Sequence, residues 1–120
     1  MASRPGTVLF FGEIMSYSIV YMTAGDISEA RRIGSSLVKE KLAACANCID
    51  KMQSTYWWKG AIEESSEAVL IAKTRTSQVQ KLTARVKELH SYDVPCVVSW
   101  EIGQGSAEYL DWIGENTHDG

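Results

Sequence analysis

Residues 44–74 read as two extended segments separated only by Lys59-Gly60, a turn in which glycine takes positive φ without a Cβ penalty. Each arm runs well beyond the roughly 5–6 residues of an ordinary strand. The outer half of this hairpin must therefore project past any sheet that a chain of 120 residues can build around it. Its tip carries Tyr56, Trp57 and Trp58, side chains that bury on the order of 150–250 Å² each. Together they rival or exceed the apolar patch of roughly 300–600 Å² usual on a monomer. A projecting arm with unpaired backbone groups and this much aromatic surface predicts an interface with further copies of the chain, with Tyr56, Trp57 and Trp58 in it.

The segments around the hairpin complete a recognisable order. Tyr17–Thr23 is rich in β-branched and aromatic residues and stops at Gly25-Asp26, as a strand leading into a helix does. Asp26 with Glu29 forms a capping box, and Ile27, Ala30, Ile33, Gly34, Leu37 and Val38 make one apolar stripe that predicts a helix to about Leu42. In the second arm, Ala68–Ala72 is a continuous apolar run, the mark of a strand covered on both faces. Ser77 with Gln80 predicts the start of a second helix, striped by Val79, Leu82, Val86 and Leu89 and ended at His90-Ser91 before Pro95.

Cys96, Val98, Trp100 and Ile102 then alternate with Val97, Ser99 and Glu101, which predicts a fourth strand with the first set facing the core. Ser106 caps a final helix in which Tyr109, Leu110 and Ile113 share a face. The order β-α-β-β-α-β plus a C-terminal helix is the split βαβ arrangement, an α+β ferredoxin-like sandwich. It occupies residues 16–117, with residues 1–15 expected as a flexible extension.

A net charge of −3 supplies no surplus of cations for phosphates, so nucleic acid is excluded as a general partner. The apolar patch Val8–Phe11 is too short for a signal core or a membrane span. Three cysteines in a chain with an adequate core suit free thiols in a reducing compartment, and the expected location is the cytoplasm.

In several linked places the chain resembles the CutA proteins. Lys41-Leu42-Ala43-Ala44-Cys45-Ala46-Asn47 is similar to that family's helix-to-strand signature, and Tyr56-Trp57-Trp58-Lys59-Gly60 to its hairpin tip. Glu67, Lys73-Thr74, His90-Ser91-Tyr92-Asp93-Val94-Pro95 and Tyr109-Leu110-Asp111-Trp112-Ile113 follow in the family's order. The resemblance implies a homotrimer joined through the long hairpins and an association with tolerance of copper and other divalent cations. It also groups Glu67, Lys73 and Tyr92 as a cleft for a small anion or metabolite. The alternative function is a small-ligand sensor like the trimeric PII proteins, which share the fold but need a flexible loop between strands two and three.

His90, in a loop after the second helix, is the candidate ligand for Cu(II) or another divalent cation, since a neutral imidazole suits both copper and zinc. A second histidine and a cysteine found in some family members correspond here to Leu89 and Met22. Met22 is a soft thioether candidate for copper, whereas Leu89 binds nothing. No cofactor is obligatory. Cys45 and Cys48, three apart in one strand, point to opposite faces and read as packing residues, as does Cys96. Glu63 and Glu67 share a face of the third strand. No glycine-rich phosphate loop, H-E-x-x-H or nucleophile elbow is present, so no enzyme activity is expected.

Overall fold

A computed structural model describes residues 15–119; most of the expected N-terminal extension, residues 1–14, lies outside the described residues. The elements are β1 (Tyr17–Ala24), α1 (Ile27–Lys39), β2 (Cys45–Trp58), β3 (Ala61–Arg75), α2 (Val79–Leu89), β4 (Val97–Glu101) and α3 (Ala107–Glu115). The strands form one antiparallel sheet in the order β2-β3-β1-β4. That is the ferredoxin-like order, with α1 and α2 on one face.

The core lies between that face and the two helices. Val20, Met22 and Ala24 of β1 and Ala68, Leu70 and Ala72 of β3 meet Ala30, Ile33 and Leu37 of α1 and Leu82 and Val86 of α2. Gly34 allows α1 to lie this close: a Cβ there would stand 3.0 Å from Ala46 Cβ and 3.1 Å from Leu70 Cδ1. Asp26 caps α1 as expected, accepting from Glu29 N at 2.8 Å. The helix ends at Lys39, earlier than Leu42, because Lys41 turns left-handed (φ 58°). Leu42 N then donates to Leu37 O and Lys41 N to Val38 O, the paired bonds of a Schellman motif.

The hairpin stretches the molecule to 52 Å, twice its other dimensions. Trp58 pairs with Ala61 across Lys59-Gly60, whose φ values of 50° and 80° match the two positive positions of a type I′ turn. A two-residue connection leaves no flexible loop at this point. Between Ile49 and Met52 the register slips by one residue at a bulge, with Lys51 at φ 64°. Before the bulge the odd residues of β2 share the helix-free face with Val69, Ile71 and Lys73; after it the even residues, Tyr56 and Trp58 included, take that face.

Two expectations need correction. Cys96, Val98 and Trp100 do not face the core: Val98 and Trp100 are 53% and 51% exposed on the helix-free face, and Val97 is the residue packed against the core. The alternation is right and its polarity inverted, because both faces of β4 carry apolar residues and only the position of the helices decides which is inside. The Ser77–Gln80 capping box also does not form. A 3₁₀ turn over Thr76–Gln78 leads into α2, and the position before the helix, Gln78, makes no side-chain cap.

Helix α3 crosses to the other face, packing Ile113 against Tyr17 and Ala44 at one end of the sheet. Ser106 caps it at Tyr109 N, as expected. The helix-free face is thus covered at one end and open from Val98 and Trp100 to the hairpin tip.

Candidate functional site

The open face deepens into a groove between the hairpin and the loop that joins α2 to β4. Met52, Tyr56, Glu63 and Glu67 supply one wall and Tyr92, Asp93, Val94 and Cys96 the other, with Tyr21 and Thr23 at its base. Glu63 and Glu67 share this face, in line with β3 alternation. The Tyr92 hydroxyl donates to Glu67 Oε2 at 2.8 Å and closes the groove at one side. Burial, and then the bond to and charge of Glu67, push the Tyr92 phenol well above its ordinary range, so it stays a donor. Burial, with the Glu67 charge beside it, likewise raises the Cys96 thiol and keeps it protonated.

The loop that carries Tyr92 is fixed from behind. His90 is buried with both ring nitrogens engaged: Nε2 donates to Thr23 O at 2.7 Å, and Nδ1 accepts from Tyr92 N at 3.0 Å. These partners define a neutral ring protonated at Nε2. Glu29, in the first turn of α1, accepts from Gly25 N at 2.9 Å and from Ser91 N at 2.7 Å. Burial would raise its carboxyl, but the bonds from Gly25 and Ser91 outweigh that and hold it below its ordinary value.

The sequence candidates therefore separate. Glu67 and Tyr92 come together as expected. Lys73 does not join them: it lies six residues along β3 from Glu67, about 20 Å at strand spacing. It donates instead to Asn47 Oδ1 at 3.0 Å, beside Tyr109 of α3. In the observed arrangement His90 offers no free lone pair, so a cation reaches it only by displacing one of its two bonds. Met22 is 1% exposed within the apolar core between sheet and helices. Among the described residues, no three His, Cys, Asp or Glu side chains gather as a metal site.

Tyr56, Trp57 and Trp58 are all exposed, but Trp57 points to the opposite side of the hairpin, paired with Ile62. Cys48 packs against the core while Cys45 turns to the other face and meets the Tyr109 hydroxyl at 3.7 Å. The contact of Glu29 with Ser91, and the meeting of Asn47 and Tyr109 around Lys73, carry no signal in the sequence. The Asp26–Glu29 spacing marks only the start of α1, and nothing local marks the approach of α3 to β2.

Comparison with known proteins agrees with this geometry. The family model described as CutA1 divalent ion tolerance protein matches residues 18–116. The divalent-cation tolerance protein CutA of Thermus thermophilus is 44% identical over 99 residues, covering 82% of this chain and 96% of that protein. The chloroplastic protein CutA 1 of Oryza sativa is 40% identical over 101 residues; the match covers 84% of this chain and spans 57% of that longer protein. The solved Thermus thermophilus structure superposes with a TM-score of 0.83 at 43% identity, covering 85% of this chain and 99% of that one. The CutA1 structure from Oryza sativa gives 0.85 at 38% identity, covering 88% and 96%. Among the described residues no helix is long and apolar enough to cross a membrane. The chain belongs to the CutA1 divalent ion tolerance family.

Proposed function

We propose that this chain acts in divalent-cation tolerance as a homotrimer, and that the groove between Glu67 and Tyr92 holds Cu(II) or another divalent cation weakly at the edge of the subunit contact. The observation that carries the reading is the open sheet face. Ile49, Tyr56, Trp58, Val98 and Trp100 expose apolar surface on one side of the molecule. At about 25 cal/mol per Å², covering even part of it favours assembly by several kcal/mol. The projecting hairpin is the element that reaches a neighbour.

Glu67 is the groove's central oxygen donor, with Asp93 on the facing wall and Glu63 four residues, about 14 Å, along β3; among the described residues no three of these carboxylates and the Cys96 thiol converge on one point. This is a mixed and open set, suited to weak binding. His90 and Met22 are left out of the first coordination sphere, since one is saturated by Thr23 and Tyr92 and the other is enclosed by apolar side chains. The unpaired cysteines favour a reducing compartment, the cytoplasm.

Light scattering at micromolar concentration tests the assembly, and a clean monomer would overturn it. Calorimetric titration with Cu(II) tests the groove. Glu67→Gln is expected to weaken binding severalfold while His90→Ala, if folded, leaves it near wild type; the reverse order would return the metal to His90.

A further inference from the structure

At the end of the sheet away from the groove, four polar side chains meet where α3 crosses the helix-free face. Lys73 is on β3, an inner strand; Cys45 is its partner on β2, with Asn47 next to it on the same face. Tyr109 comes from the first turn of α3. The Lys73 ammonium donates to Asn47 Oδ1 at 3.0 Å and stands 5.9 Å from the centre of the Tyr109 ring. The Tyr109 hydroxyl lies 3.7 Å from Cys45 Sγ, and the ring stacks on Trp112 at 5.6 Å.

The charge balance here is uneven. Among the described residues no carboxylate pairs with Lys73, although Arg75, two residues along the strand, meets Gly114 O, Thr117 and Asp119. Asp111 follows Tyr109 by two residues on α3, which turns it to another side of the helix. The ammonium is held by an amide and an aromatic ring, so its position is defined while its charge is not neutralised. It carries three donors, one used by Asn47 and a second turned to the Tyr109 hydroxyl, which leaves the third.

Because Asn47 Oδ1 accepts from Lys73, the amide's Nδ2 remains as a donor beside it. Burial, followed by the contact with Cys45, raises the Tyr109 phenol against the opposing pull of the Lys73 ammonium. An ammonium, a phenol and an amide NH₂ thus gather at one place, next to the flat Tyr109–Trp112 pair.

We infer that Lys73, Asn47 and Tyr109 form a binding site for a small oxyanion, a carboxylate or a phosphate, separate from the groove at Glu67. The ammonium supplies the charge, the amide and phenol orient two oxygens, and the aromatic pair accommodates whatever body the anion carries. A lysine point charge with neutral donors suits either headgroup. The site is independent of cation binding, and its failure would leave the reading of the groove untouched.

The test is calorimetric titration of the intact protein at low ionic strength with sodium acetate and, separately, inorganic phosphate. Saturable binding of at least one anion is expected, and the tighter of the two names the source. Lys73→Met should weaken it by about tenfold or more, the loss expected for one charge-assisted hydrogen bond. Asn47→Asp, which keeps the shape and places a carboxylate beside the ammonium, should abolish it even if Lys73→Met fails to fold. Lys87→Met, on the exposed side of α2, should leave it unchanged. No saturable binding, or an equal loss in Lys73→Met and Lys87→Met, would overturn the assignment.

Discussion

The Tyr92 hydroxyl donates to Glu67 Oε2 at 2.8 Å, and this one bond ties the loop between α2 and β4 to the middle of the long hairpin. The same residue's backbone N–H goes to His90 Nδ1, and the preceding N–H, from Ser91, goes to Glu29 Oε2. Tyr92 is therefore held at both ends, by buried groups behind and by a carboxylate in front. The groove owes its shape to that chain of contacts and not to any one residue.

Tyr92→Phe removes the front contact and keeps the ring. Burial and then Glu67 raise the folded phenol's pKa, so its contribution to stability is complete below the unfolded tyrosine value of about 10 and is lost as the pH climbs beyond it. The melting temperature of the wild type should accordingly fall more steeply above about pH 10 than that of Tyr92→Phe. Parallel curves would show that Tyr92 is not the group concerned.

Glu29 acts in the opposite pH range. Its carboxyl is held below its ordinary value by the bonds from Gly25 and Ser91, which outweigh burial. A lowered folded pKa gives stability that is present above the unfolded value, about 4.3, and is lost as the pH falls through the folded one. Glu29→Gln should flatten the decline of stability on the acid side. Glu29→Ala leaves Gly25 N–H and Ser91 N–H without their acceptor, at about 1–3 kcal/mol for each one that stays dry. Urea unfolding at neutral pH and near pH 4 checks both, and an unaltered acid slope in Glu29→Gln rules the assignment out.

Much of this fold was legible because local pattern and long-range structure agree. The β-branched run of β1, the Asp26 and Ser106 caps, the Lys59-Gly60 turn and the apolar run Ala68–Ala72 each carry their own signal. The polarity of β4 carries none, since Val97 and Val98 are equally apolar and only the placement of α1 and α2 chooses between them. The bulge at Asp50-Lys51 was equally silent, yet it decides that Tyr56 and Trp58, and not Trp57, share the face of Val98. For the site, no local signal marks the bond from Tyr92 to Glu67, which depends on how the loop before β4 folds, whereas the distance from Glu67 to Lys73 follows from counting six residues along one strand. The saturation of His90 depends on Thr23 and on the fold of its own loop, contacts that no spacing encodes.

Lys41 marks a place where local strain is removable. It occupies the left-handed position of the Schellman motif that ends α1, at φ 58°, a conformation that costs a residue with a Cβ about 1–2 kcal/mol. Its side chain is exposed, and the motif's bonds, Leu42 N to Leu37 O and Lys41 N to Val38 O, use backbone atoms alone. Glycine at this position keeps both bonds and relieves the crowding. It also adds freedom to the unfolded chain, worth about 0.4–1 kcal/mol in the other direction. The net expectation is that Lys41→Gly stabilises by about 0.5–1 kcal/mol. Lys41→Ala, which keeps the Cβ and removes only the charge and the stem, should change little. Chemical denaturation of the three proteins side by side decides it: a glycine variant less stable than wild type would mean that the Lys41 side chain, and not the backbone turn, holds the end of the helix.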